Sequence, residues 1–312
     1  MPVKIIVICG PTCIGKTKVG MALAKKLNGE IVSADSQQVY KGLYIGTAKP
    51  SLEDRAAVCH HLIDVAEPAL QFDAAKFVEL ADKAINGIIE RGHLPFIVGG
   101  TGLYIKALLH GLAEAPPRDE KIRRELLEIK EKRGISHLYK ILKESDPDIA
   151  SRLKPGDSAR IIRALEVLKS TGKSIGEFHK NHKFKASRYQ ALKIGLNMDR
   201  AELYKRIDAR VDKMIKDGLL EEVRGLISKY GADLPAFKAV GYKEIADFCK
   251  KIDSPSLDEK VVALVKRNTR RYAKRQLTWF RADKEIQWFN PAFLDKTHVM
   301  AYEYLREDTI YG

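Results

Sequence analysis

The chain has 312 residues, 45% hydrophobic and 31% charged, which supports a sizeable folded core and excludes a disordered chain. No stretch approaches the roughly 20 apolar residues needed to cross a bilayer, and the first apolar run, Val3 to Cys9, is too short for a signal-peptide core. The net charge of +14 is uneven: residues 1–116 carry net +1, residues 117–190 net +8 and residues 191–312 net +5. Such a distribution suits a polyanionic partner or a merely solvated cationic surface, and charge alone does not separate them.

Lys4 to Cys9 is a short β-rich run, followed by GPTCIGKT over residues 10–17 and then helical apolar spacing from Lys18 to Leu27 (Val19, Leu23, Leu27). Gly10, Gly15, Lys16 and Thr17 satisfy GxxxxGK[ST] in a strand–loop–helix setting. Glycines let backbone N–H groups converge on a phosphate at the positive end of the following helix; Lys16 adds charge, and the Thr17 hydroxyl suits Mg²⁺. Alone, this loop predicts only that a di- or triphosphate binds, with an ATP-using kinase as the default reading.

Glu30 to Ala34 reads as a second strand ending in Asp35, an acid that also suits a turn or helix cap. The pair His60-His61 follows, and internal packing or hydrogen bonding is the expected role, not zinc. Four cysteines (Cys9, Cys13, Cys59, Cys249) lack CxxC spacing, which predicts a reducing, cytoplasmic setting. Ala74 to Arg91 has helical periodicity, and Leu94 to Val98 is a buried strand running into Gly99-Gly100-Thr101-Gly102. A kinase or NTPase usually places a Mg²⁺-binding carboxylate after such a strand, and none stands here. Strands alternating with helices predict an α/β fold: a P-loop NTPase-like parallel sheet flanked by helices.

After Pro116-Pro117 the texture becomes helical and rich in Lys and Arg, which predicts a mainly helical basic insertion domain over 117–190 within a core formed by 1–116 and 191–312. Ala191 to Leu196 returns as a strand. Asp199 and Glu202 form a capping-box pattern opening a helix, on which Leu203, Ile207, Val211 and Met214 face the core while Arg206 and Arg210 share another face. Residues 266–281 hold seven basic and no acidic side chains with three aromatics, so a nucleic-acid-facing helix is expected, with Trp279 structural and Lys274, Arg275 and Arg281 facing RNA.

Several ordered pieces resemble the tRNA dimethylallyltransferases (isopentenyl-tRNA transferases) of bacterial type: GPTCIGKT, DSQQVY (35–40), IGTAKP (45–50), HHLID (60–64) and VGGTGLYIKALLHG (98–111). RALE (163–166), VGYKE (240–244) and KRQLTWFR (274–281) complete the series. Departures are small: Cys13 and Ile14 fill variable loop positions, and DSAR (157–160) stands where the family commonly has DPxR. The last thirty or so residues carry no motif.

The resemblance implies transfer of a dimethylallyl group from dimethylallyl diphosphate to the N6 amine of the adenosine 3′ of the anticodon in tRNA. Gly10, Pro11, Thr12, Cys13, Ile14, Gly15, Lys16 and Thr17 would hold the diphosphate, with Mg²⁺ on Thr17. Asp35 would be the general base, assisted by Thr17, Thr101 and Arg210. Implied tRNA contacts are Asp35, Ser36, Gln37, Gln38, Thr101, Arg123, Ala159, Arg160, Ile161, Ile162 and Arg163. In the C-terminal half they are Lys238, Gly241, Tyr242, Lys243, Lys274, Arg275 and Arg281. The partners expected are tRNA and dimethylallyl diphosphate, without a membrane or an obligate protein partner, the chain acting as a monomer. Two other readings stay open: prenylation of free adenine nucleotides, and a small-molecule kinase.

Overall fold

In the computed structural model, which describes residues 3–182, 187–252, 254 and 256–306, two compact units are distinguished: residues 1–109 with 187–312, and residues 110–186. The first is built on a six-stranded sheet in the order β3-β2-β4-β1-β5-β6. Its strands are β1 (Lys4–Cys9), β2 (Gly29–Ser33), β3 (His60–His61), β4 (Leu94–Gly99), β5 (Gln190–Leu196) and β6 (Gln287–Phe289), and every pairing is parallel. Parallel strands need helical crossovers that cover the sheet, which explains why β1 and β4 are nearly continuous apolar runs.

Helices α1 (Lys16–Lys26), α2 (Leu52–Ala57), α3 (Ala74–Glu90) and α4 (Gly102–His110) follow strands or the loops leading from them. Val19 and Leu23 of α1 pack with Ile6, Ile8, Phe96 and Ile194 of the sheet. Strands β3 and β6 have no counterpart in the sequence reading. At two and three residues they are too short to show alternation.

Within the second unit lie α5 (Glu120–Arg133), α6 (Ile135–Ser145), α7 (Pro147–Arg152), α8 (Ser158–Thr171) and α9 (Ile175–His182). They enclose their own core of Leu126, Leu138, Leu142, Ile149, Ile161, Ile162 and Leu165. Its limits, 110 and 186, each fall a few residues before those of the 117–190 span read from composition.

The first unit is completed by α10 (Arg200–Lys216), α11 (Leu219–Tyr230), α12 (Tyr242–Cys249), the 23-residue α13 (Glu259–Arg281) and α14 (Leu294–Arg306). Asp199 caps α10 by accepting from Ala201 N–H and Glu202 N–H. The reciprocal half of the expected box is not made, because the Glu202 carboxylate pairs with Arg206 at 2.6 Å. Among the described residues no helix is long and apolar enough to cross a membrane.

One polar cluster is built into the sheet. Glu30 on β2, 4% exposed, accepts from Arg91 Nε and Nη2 (2.9 and 2.8 Å) and is hydrogen-bonded to His61 and His93 at 2.6 Å each. The guanidinium holds this carboxyl well below the usual carboxylate range. Both oxygens are saturated, so the buried charge is compensated. A folded-state pKa below the unfolded one contributes stability that is full above the ordinary value of 4.5 and disappears as pH falls beneath it. Because Arg91 is half exposed, deleting Glu30 strands no buried charge and forfeits charge-assisted hydrogen bonds, a loss of about 1.5–3 kcal/mol. Glu30→Ala is therefore expected to lose that much in urea unfolding at pH 7, and the gap to wild type should narrow below about pH 4.5.

Candidate active site

All the groups read as phosphate-binding or catalytic gather at the carboxyl edge of the sheet, where β1, β2 and β4 end. Between β1 and α1 the loop turns through Gly10 (φ 145°), Cys13 (φ 64°) and Gly15 (φ 101°). A Cβ on Gly10 would lie 2.7 Å from the Leu196 carbonyl oxygen, so only glycine lets the loop lie against β5. Lys16 Nζ donates to the Pro11 carbonyl at 2.8 Å, which folds the ammonium over the loop. Burial pushes its pKa down to about 8, against the opposing pull of the Asp35 carboxylate.

Two helices distant in sequence fasten this loop. Gln276 of α13, 7% exposed, accepts from Thr12 N–H at 2.9 Å and donates to the Gly100 carbonyl at 2.8 Å. From α10, Arg210 Nη1 donates to Thr12 Oγ1 at 3.2 Å and lies 3.7 Å from Cys13 Sγ. Arg206, which shares the helix face with Arg210 in the sequence reading, spends its charge on Glu202 instead.

Asp35 serves two ends. Its Oδ1 accepts from Gln37 and Gln38 N–H (2.8 and 3.3 Å), the turn role open in the sequence, while Oδ2 accepts no hydrogen bond among the described residues. Thr101 joins this turn to the end of β4: its N–H donates to the Ala34 carbonyl, and its hydroxyl accepts from Ser36 N–H at 3.0 Å. Gly99 permits the approach, since a Cβ there would fall 2.1 Å from the Ala34 oxygen. Tyr272 borders the same turn, and burial together with the Asp35 charge raises its pKa.

These side chains border two cavities that share Thr12, Asp35, Thr47, Arg210 and Tyr272. One, of about 280 Å³, is lined by Gly15, Lys16, Thr17 and Gln276 of the phosphate-binding side. The other, of about 230 Å³, is walled by Ile207, Val211, Met214, Leu219 and Val265. Thus a cationic chamber at the phosphate loop adjoins, at Asp35, a second chamber that has an apolar wall along α10. Hydroxyl and carboxylate oxygens (Thr17, Asp35) enter the phosphate-loop chamber, the hard donor set that suits Mg²⁺. Elsewhere, Glu30, Cys59 and His61 approach closely enough to hold a metal, but Glu30 is saturated by Arg91 and two imidazoles. His60 Nδ1–H donates to the Val58 carbonyl (2.7 Å), and so both histidines serve internal bonds.

Tyr272, Gln276 and Thr47 were missing from the sequence reading. The first two stand four apart on α13, a spacing that puts them on one face. That signal was masked by the many cations around them.

Several expected tRNA contacts are corrected by the geometry. Gln38 is a brace, accepting from Ser33 Oγ and donating toward the Thr47 and Ala48 carbonyls. Gln37 is different: its Oε1 is buried without a partner and the residue lines the second chamber. Tyr242 is fully buried with its hydroxyl on Glu222, so its side chain cannot meet RNA. Lys238 and Gly241 line the second chamber, and Lys243 is exposed.

In the second unit Ile161 and Ile162 are core residues, 0% and 2% exposed. Arg123 and Arg163 both pair with the buried Glu166, at 3.0 and 2.8 Å, which gives them a structural role. Ala159 and Arg160 are exposed, the latter paired with Asp157. On α13, Lys274, Arg275 and Arg281 are exposed, and Arg275 reaches the second chamber. Trp279 is not a core residue: it is 42% exposed, its ring edge laid on Gly102, while Phe280 at 3% exposure anchors the helix.

Comparison with known proteins converges on one family. The IPP transferase family model matches residues 38–283, and an isopentenyl transferase model matches residues 3–62. The chain is 49% identical to tRNA dimethylallyltransferase 1 of Pelobacter propionicus over 286 residues, covering 91% of this chain and 92% of that protein. It is 40% identical to the solved full-length tRNA isopentenylpyrophosphate transferase of Bacillus halodurans, with a TM-score of 0.72 over 99% of this chain and 98% of that one. A solved eukaryotic dimethylallyltransferase described as acting on tRNA is 30% identical, with a TM-score of 0.75 over 92% of this chain and 73% of that one. A phosphate loop fastened by Gln276 and Arg210, opening on Asp35, thus sits in a chain that belongs to the tRNA dimethylallyltransferase (IPP transferase) family.

Proposed function

We propose that this protein transfers a dimethylallyl group from dimethylallyl diphosphate to the N6 amine of the adenosine 3′ of the anticodon in tRNA, releasing diphosphate. The observation that carries this reading is the paired cavity: the chamber at the phosphate loop adjoins one with an apolar wall of Ile207, Val211 and Met214, and Asp35 borders both. A prenyl diphosphate has this division of chemistry, and a nucleoside triphosphate does not.

Adenine's exocyclic amine is a weak nucleophile because its lone pair is delocalised into the ring. Asp35 accepts an N6 proton as nitrogen bonds to the allylic carbon, and the carbon–oxygen bond to diphosphate breaks. Negative charge collects on the departing oxygens. Preorganised donors aimed at that charge lower the barrier directly. They are the loop N–H groups, Lys16 and Arg210. Bound at the Thr17 hydroxyl, Mg²⁺ would supply further neutralisation of the diphosphate. The allyl tail lies against Ile207, Val211 and Met214, away from water. Gln37 Oε1 can accept from the amine or another donor of the base.

The adenine must leave the anticodon-loop stack to reach Asp35, at a cost of a few kcal/mol that is least for unpaired bases. The exposed cations Lys274, Arg275 and Arg281 on α13 suit phosphate contacts around it. The same reading predicts a preference for acceptor: an anticodon stem-loop should be prenylated far faster than free AMP, compared at equal concentration by chromatography. Faster transfer to AMP would favour a free-nucleotide enzyme instead.

Asp35→Asn keeps the turn acceptor and removes the base. It is expected to lower single-turnover transfer by about 10²–10⁴-fold, with stem-loop affinity in filter binding changed far less. Turnover near wild type would remove Asp35 from the base role.

Lys16 gives a pH signature. Its ammonium favours the diphosphate, and its depressed pKa means that the charge is lost above about pH 8 in the free protein. Affinity for dimethylallyl diphosphate should fall by about tenfold per pH unit above that point, one proton's worth of linkage. Lys16→Arg, which stays charged, should flatten the profile in calorimetric titrations.

A further inference from the structure

The loop of residues 43–48 forms one wall of the paired cavity: Gly46 borders the second chamber, Ala48 the phosphate-loop one, and Thr47 both. Its conformation is imposed from outside the cavity. Glu222 on α11 accepts from Tyr44 N–H and Ile45 N–H with one oxygen, each at 2.9 Å. Its other oxygen accepts from the Tyr242 hydroxyl. That hydroxyl in turn accepts from Gly46 N–H at 3.1 Å, so three consecutive loop amides end on one carboxylate, directly or through a phenol. Tyr242 is 0% exposed and packs closely against Gly46, where an added Cβ would fall 2.4 Å from a ring carbon. Within the loop, the Thr47 hydroxyl donates to the Leu43 carbonyl at 2.6 Å, closing the turn.

We infer that Glu222, acting through Tyr242, is a positioning residue for the transfer reaction: it sets the 43–48 wall against which the prenyl donor's tail and the acceptor base are aligned. The inference rests on the function proposed above. Hydrogen bonds to a charged acceptor are about twice as strong as neutral ones, which suits a carboxylate holding a short loop with no strand of its own. A small misplacement of a reacting group is enough to cost about 10²-fold in rate. The diphosphate's own ligands lie on other segments, the loop 10–17 and α10, so the effect on the donor's tail is separable from the effect on its head.

The test compares Glu222→Ala and Glu222→Gln with wild type in the full chain. In Glu222→Ala, hydrogen exchange should accelerate at residues 43–48 and stay unchanged at 10–17. The kcat/KM for dimethylallyl diphosphate should fall by roughly 10- to 100-fold, while the Kd of inorganic diphosphate stays within about threefold. Glu222→Gln retains a carbonyl oxygen for the Tyr44 and Ile45 amides, and it should recover most of the loss. Wild-type kinetics in a folded Glu222→Ala protein would overturn the inference. So would a parallel collapse of inorganic diphosphate binding, which would mark general damage. If wild type itself transferred no prenyl group, the functional reading would fall, and the exchange measurement would still decide whether Glu222 fixes the loop.

Discussion

The buried amide of Gln276 ties together the two turns that follow the paired strands β1 and β4: it accepts from Thr12 N–H in the phosphate loop and donates to the Gly100 carbonyl after β4. Each bond contributes about 0.5–1.5 kcal/mol net, but leaving either buried backbone group unpaired costs about 1–3 kcal/mol, so the bridge is conformationally decisive. Once Gly100 is placed, Thr101 follows, and through it the Ser36 amide and the turn that holds Asp35. Asp35 and the phosphate loop therefore share a frame that one side chain of α13 fastens.

Charge is organised around the same frame. Lys16 and Arg210 are both fastened to the loop, one bonded to the Pro11 carbonyl and the other to the Thr12 hydroxyl. Asp35 is the carboxylate among the residues lining the phosphate-loop chamber. A typical NTPase places an acid after the strand corresponding to β4 to help hold its metal. Here that strand ends in Gly99-Gly100-Thr101, and the space is used to bring Thr101 onto the Asp35 turn. One fold edge thus serves a leaving group where its relatives in architecture serve a transferred phosphate.

Much of the frame was legible in the sequence, for identifiable reasons. Ile5 to Cys9 and Pro95 to Gly99 are buried on both faces of a parallel sheet, so their apolar runs carry the strand signal unaided. The phosphate loop is local, and its glycines and Lys16 lie within eight residues of each other. Asp35 stands at a strand end, where a turn role was equally open, and the family resemblance singled it out. What stayed hidden depends on distant contacts. Gln276 lies 264 residues from Thr12, and nothing near it marks it as buried. Tyr242 looked like part of a contact motif and is instead a core phenol, because its partner Glu222 stands on another helix. Arg123 and Arg163 read as RNA-facing cations until Glu166 is seen beneath them. Trp279 misled in the opposite direction, since large aromatics usually signal burial and Phe280 beside it takes that place.

The central claim is that the phosphate loop holds a leaving group and not a phosphoryl donor. The most direct measurement follows the fate of both halves of dimethylallyl diphosphate when the protein is incubated with Mg²⁺ and an anticodon stem-loop bearing an adenosine 3′ of the anticodon. The account predicts one five-carbon increment on that adenosine, mapped by fragmentation mass spectrometry, and one diphosphate released for each increment. An unmodified stem-loop with folded protein, or phosphate transferred from labelled ATP in its place, would contradict it.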